Sequence, residues 1–162
     1  MTLENDLFKV APEEYGDAYQ AHLLEQYKLF VESAYRISQQ RQSANSFFLT
    51  MNSALLAGMG GILSRGSRSI EIWWFISVAV VGLILCYVWY RLVLSYKGMN
   101  AGKFEVIHAI EKKLPIALFE AEWHQIGKGQ DPKKYKPFSD IEMRVPWIFF
   151  TLYGLLILAV AW

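Results

Sequence analysis

Residues 70–96 read IEIWWFISVAVVGLILCYVWYRLVLSY, 27 positions with only Glu71 and Arg91 charged. Such a run spans a bilayer as a helix, because about 20 apolar residues already cross roughly 30 Å of hydrocarbon. Trp73 and Trp74 stand at one end and Tyr87, Trp89, Tyr90 and Tyr96 toward the other, where amphipathic rings meet lipid headgroups. At about 1.5 Å per residue the helix is longer than the apolar layer, so it tilts or projects past the interface. Arg91 then reaches water by extending its stem rather than burying its charge.

Two further apolar runs flank this one, at 46–63 and 145–162. The first is diluted by Ser46, Thr50, Asn52 and Ser53 and by Gly58, Gly60 and Gly61, so it inserts weakly alone and depends on neighbouring helices. The link SRGSRS at 64–69 is long enough only for a hairpin turn. In the last run Trp147 and Trp162 mark the two membrane faces. A hydrophobic content of 54%, evenly spread, would suit one soluble domain. Concentrated in three runs, it excludes both a water-soluble single core and intrinsic disorder. The fold expected is an all-α membrane protein with three transmembrane helices per subunit.

The polar stretches divide the rest. Residues 1–45 form a cytosolic N-terminal segment and amphipathic helix, 46–96 a transmembrane hairpin, 97–144 a cytosolic helical block, and 145–162 the third span. No glycine occurs between Gly16 and Gly58 and no proline between Pro12 and Ser64, so one helix, starting near Gly16 or Asp17, runs from the cytosol into the membrane. Leu23, Tyr27, Phe30, Ala34, Ile37 and Arg41 share its packed stripe, with Glu25, Lys28, Glu32, Arg36 and Gln39 turned elsewhere. In the cytosolic block, helical patterns cover 103–114 and 116–126, separated at Pro115. Ser139 followed by Glu142 reads as a capping box, so the third long helix starts near Asp140, with Pro146 bending it little.

Lys28, Arg36 and Arg41 precede the first span. Arg91, Lys97, Lys103, Lys128, Lys133, Lys134, Lys136 and Arg144 border the larger polar block, whereas the short turn holds only Arg65 and Arg68. This bias places the N-terminus and residues 97–144 in the cytosol and the C-terminus at the outer face of the membrane. The opening MTLENDLFKVAPEEYGD, with five acids and one lysine, is no cleaved signal peptide. A net charge of +1 argues against duplex nucleic acid as the main partner. The single cysteine, Cys86, excludes a disulfide or cysteine–metal framework within one chain.

Chemistry is sparse. Asn45, Leu49, Asn52, Leu56 and Met59 lie on or beside one helical stripe at membrane depth, where polar groups are costly unless they face partners or water. Two readings stand: rings of carboxamides and apolar constrictions lining a pore in a symmetric oligomer, or hydrogen bonding to a neighbouring helix. A second stripe of Ser46, Thr50, Ser53, Ala54, Ala57 and Gly61 reads as a small-residue helix contact. Lys128, Lys133, Lys134 and Lys136 form a basic loop able to meet an anionic ligand such as a nucleotide, or simply lipid headgroups, and they match no phosphate-binding fingerprint. Glu105, His108 and Glu111, and Glu120 with His124, read as a surface network, with no second copy to complete a metal site. No catalytic triad, zinc or dinucleotide pattern occurs, so no enzyme activity and no cofactor is expected.

Three stretches, YRISQQRQSANSFFLTMNSALLA at 35–57, WYRLVLSYKGMNAGKFEVIHAIEKKLP at 89–115 and KKYKPFSDIEMRVPW at 133–147, resemble small bacterial integral membrane proteins of conflict and anti-phage loci, among them the transmembrane effectors of Hailong-type defence systems. The likeness covers about residues 35–162. It implies a homo-oligomeric ion channel, a tetramer, held shut by a nucleotide or oligonucleotide made by a partner nucleotidyltransferase and opened on infection to depolarise the cell. The alternative is a non-conducting membrane scaffold that anchors a soluble partner through its amphipathic helix.

Overall fold

The computed structural model describes residues 2–64, 72–131, 133–135 and 137–161, and every regular element among them is helical. The hairpin residues 65–69, with Arg65 and Arg68, lie outside the described residues, as do Lys136 and Trp162. Two short helices, α1 (Leu3–Leu7) and α2 (Pro12–Tyr15), precede α3 (Tyr19–Ser64), a helix of 46 residues. Proline opens α2, where its missing N–H costs nothing. Gly16, at φ +86°, closes α2 in a conformation that side chains resist, which sets the start of α3 just beyond it, at Tyr19. The continuous helix expected from the polar N-terminal stretch into the apolar run is therefore present.

The second long helix goes further than its sequence suggested. Instead of a span ending at Tyr96 and a separate helix from 103, α4 runs unbroken over Ile72–Glu111. Gly98 and Gly102 have open space around them and weaken the helix by roughly 1 kcal/mol each, which a long helix without internal proline tolerates. It stops shortly before Pro115, whose ring disfavours helix in the residue ahead. α5 (Leu118–Gln125) and a 3₁₀ turn at Gly127–Gly129 follow.

At the third run the expectation fails. A five-residue α6 (Phe138–Glu142) is separated by Met143 and Arg144 from α7 (Val145–Ala161). Pro146 is the cause: its ring meets the carbonyl four residues back, at Glu142, and it disfavours helix at Val145. The ladder tightens across the break, where Arg144 N donates to Ile141 O at 3.0 Å. Helix begins at Phe138, before Ser139, so Ser139 is not its cap.

The chain divides into two compact units, Met1–Gln39 with Lys97–Pro137, and Gln40–Tyr96 with Phe138–Trp162. In the first, Ala34, Ile107, Ala109 and Ile110 are buried. The stripe from Leu23 to Ile37 turns inward while Glu25, Lys28, Glu32, Arg36 and Gln39 are exposed. Lys103 lies 4.5 Å from the Phe30 ring and donates to Ser33 Oγ at 2.7 Å. In the second, Met59, Phe75, Ala79, Cys86 and Tyr153 form one cluster and Phe48, Trp89 and Val93 another. Much of its apolar surface is uncovered, with Trp73 70%, Ile84 57% and Leu158 61% exposed, an arrangement that suits lipid rather than water. Two segments are long and apolar enough to cross a membrane, α4 and Phe138–Ala159.

Candidate functional site

The C-terminal half of α3 carries two unlike faces. The inner one is built on Asn45, Phe48, Asn52, Leu56 and Met59. Asn52 is fully buried, because its Nδ2 donates to the Phe48 carbonyl one turn back at 2.8 Å and its Oδ1 accepts the Cys86 thiol at 3.4 Å. Tyr153 Oη donates to the Asn52 carbonyl at 3.3 Å, so one residue joins α3 to α4 and to α7. One turn before Phe48, Asn45 Oδ1 accepts Trp89 Nε1–H at 2.8 Å, and Phe48 stacks on that indole with rings 5.9 Å apart and 10° from parallel. Met59 is 1% exposed among Phe75, Ala79 and Tyr153, with Leu56 packed beside it. Tyr153 reaches this depth because Gly82 leaves room: a Cβ there would land inside the ring.

Of the five residues read as one stripe, four therefore face α4 or α7 within the subunit, and Leu49, 46% exposed, does not join them. The carboxamide of Asn52 is occupied by partners in its own chain.

The outer face carries Ser43, Ser46, Thr50, Ser53, Ala57 and Gly60, all exposed and spaced alternately by three and four residues. At 3.6 residues per turn this row stands roughly 130° around α3 from the Asn52 row. The exposed Phe47, Leu49 and Met51 flank it. Elsewhere in the apolar helices hydroxyls close on their own backbone, Ser77 Oγ on Trp73 O at 2.7 Å and Thr151 Oγ1 on Trp147 O at 2.9 Å. Ser43, Ser46, Thr50 and Ser53 make no such bond among the described residues. The spacing of these residues was visible in the sequence; which face looks outward was not, since both stripes repeat every three to four residues.

The basic loop shows less order. Lys128 has φ +54° between Gly127 and Gly129, and Gly129 packs under the Trp123 ring. Lys133 and Lys134 are exposed, Lys133 N donates to Asp131 Oδ1 at 3.0 Å, and Lys136 lies outside the described residues. Two cavities of the same unit are elsewhere: about 220 Å³ beside Phe8, Lys9, Tyr15 and His22, and a groove of about 550 Å³ between Tyr27, Tyr35 and Phe104.

Sequence reading also missed Glu111, read as surface and found 1% exposed. Its Oε1 accepts Tyr27 Oη–H at 2.9 Å and Phe119 N–H at 3.0 Å, and its Oε2 accepts Glu120 N–H at 3.0 Å. The carboxylate thus caps α5, whose own N-cap, Ala117, has nothing to offer. Burial, then the hydrogen bond and charge of Glu111, push the Tyr27 phenol up to about 12. Glu120 and His124 stand 4.0 Å apart, and the described residues contain no cluster able to hold a metal.

Helices with lipid-facing apolar surfaces and a polar face left over define an all-helical membrane protein. The chain belongs to the octameric membrane protein family (8xMP), whose model matches residues 24–162. Self-association is thereby in place, and the family's description speaks against the tetramer expected from the sequence. No curated protein and no solved structure matches the chain.

Proposed function

We propose that the chain is one subunit of an octameric ion channel, with residues 46–63 of α3 as a third span and the row Ser43, Ser46, Thr50 and Ser53 facing the conducting path. The observation that carries this reading is the outward hydroxyl row itself. Polar groups at membrane depth face partners or water, and a ring of eight copies would bring eight such rows together around an axis. The path would be lined by hydroxyls and small residues without fixed charge, with Leu49 at its edge as an apolar constriction. The subunit carries no catalytic role in this reading.

The likeness to transmembrane effectors of anti-phage loci, Hailong-type systems among them, supports a role in abortive infection, in which opening depolarises the inner membrane. The N-terminus and the 97–144 block then lie in the cytosol, where Lys128, Lys133 and Lys134 can meet a nucleotide-derived ligand. A scaffold presenting the 23–41 stripe is less well supported, since Tyr27, Phe30 and Ala34 on that stripe are already engaged by Glu111, Lys103 and the core of their own unit.

Reconstituted in liposomes, the wild type should pass ions. Ser46→Leu combined with Thr50→Leu should cut that flux by roughly tenfold or more while the octamer persists, because apolar rings in a narrow pore expel water. Unchanged flux in the double variant would remove the hydroxyl row from the path, and absence of flux in the wild type under any ligand condition would end the channel reading.

A further inference from the structure

Arg41 is near the start of the second unit on α3, and Glu142 is the last residue of α6. Arg41 Nη1 donates to Glu142 Oε2 at 2.6 Å, with 23% and 26% of the two side chains exposed, across 101 residues of sequence. Lys28–Glu25 and Arg36–Glu32, by contrast, are exposed pairs within a single helical turn, the kind that contribute little. The placement of Arg41–Glu142 is specific in two directions. Along α3 it stands one turn before Asn45, the first residue of the buried ladder to Trp89 and Asn52. Along the other strand of the connection, Glu142 is followed by the two-residue break at Met143 and Arg144 that leads into α7, and α6 is preceded directly by the basic loop.

A partly dehydrated ion pair resists small displacements and then gives way in one step, since separating the charges leaves each partly buried and unpaired. We infer that Arg41–Glu142 is a gating clamp, which ties α3, one turn before the buried Asn45, to α6 and so holds the helix proposed to line the path in place. The inference rests on the channel reading for its functional consequence, and on the ion pair alone for its mechanical one. Arg41 and Glu142 are positioning residues: neither is placed in the path.

The test measures ion flux in liposomes and amide exchange over 138–145 in the assembled protein, for Arg41→Gln, Glu142→Gln and the charge swap R41E/E142R. Each single variant is expected to raise flux about tenfold and to speed exchange in α6 to a similar extent, and the swap to return both to within about twofold of wild type. Native mass should stay unchanged, and any fall in melting temperature in the single variants should be recovered in the swap. Exchange that stays at the wild-type rate in the single variants, or stays fast in the swap, overturns the clamp. If a single variant fails to assemble, the swap decides: a wild-type-like octamer supports the clamp and an unassembled swap overturns it. A wild type that never conducts sinks the channel reading only, because exchange still judges the clamp.

Discussion

Each unit is pinned by one buried polar side chain, and the two are made differently. Glu111 in the first unit is a charge met by three uncharged donors, two of them the free N–H groups at the start of α5. Asn52 in the second is a neutral amide that satisfies itself on its own helix and takes only a thiol from outside. The difference follows from surroundings. Near water a carboxylate can be buried at tolerable cost if a helix N-terminus supplies partial positive charge, whereas inside an apolar bundle even a well-bonded charge is expensive and an amide is not. Removing the first should therefore cost far more than removing the second.

Glu111→Ala tests the large end of that contrast. It strands two backbone N–H groups and the Tyr27 hydroxyl together, and an unfolding midpoint measured on the assembled protein should report a loss of about 3 kcal/mol. Glu111→Gln, which keeps acceptor oxygen but no charge, should lose less than half of that. Equal losses for both variants would mean that the charge of the carboxylate, and not an acceptor oxygen alone, holds α5 in place.

Gly82→Ala comes next and sharpens what holds the second unit. The added carbon would fall within the Tyr153 ring, which is not a flexible chain end, so the ring or the α7 backbone must shift. Overpacking of this kind costs about 2 kcal/mol. A variant as stable as wild type, with Tyr153 fluorescence unchanged, would show that the contact between α4 and α7 is looser than the described packing.

How much of this was legible beforehand depends on the kind of signal. Two of the apolar runs carry over directly, because length and hydropathy decide whether a helix can span, and the stripe from Leu23 to Ile37 turned inward as its spacing required. The break at Pro146 was underestimated, since a capping motif at Ser139 suggested an earlier helix start than the chain can sustain through proline. Which face of α3 packs within the subunit was ambiguous for a geometric reason: Asn45, Asn52 and Met59 repeat every seven residues, and so do Ser43, Thr50 and Ala57. Periodicity identifies two faces of a helix and cannot say which one meets its own subunit. Partners far along the chain, Cys86, Trp89 and Tyr153, settle that. Glu111 was hidden because its donors are backbone groups, which no side-chain pattern records.

Asn52→Leu measures the small end. Leucine fills similar volume, the Tyr153 hydroxyl keeps its backbone acceptor, and the loss is confined to a thiol contact and an i−4 bond, about 1 kcal/mol. Flux should change little beside the effect of Ser46→Leu with Thr50→Leu. A pore blocked by Asn52→Leu in an intact octamer would reverse the assignment of the two faces.

The smallest effect lies at high pH and isolates the Tyr27–Glu111 bond. A phenol raised to about 12 in the fold, against 10 when unfolded, binds its proton more tightly in the native state. Its contribution is thus complete below pH 10 and fades as pH rises from 10 toward 12, because the unfolded chain ionises first. Tyr27→Phe should remove that alkaline component while leaving stability at neutral pH lower by the value of one hydrogen bond, about 1 kcal/mol. Spectrophotometric titration of the phenols would follow the wild-type group directly. Were Tyr27 to ionise near 10, Glu111 would hold α5 without it, and the carboxylate would act as a helix cap alone rather than as the link between α3 and α5.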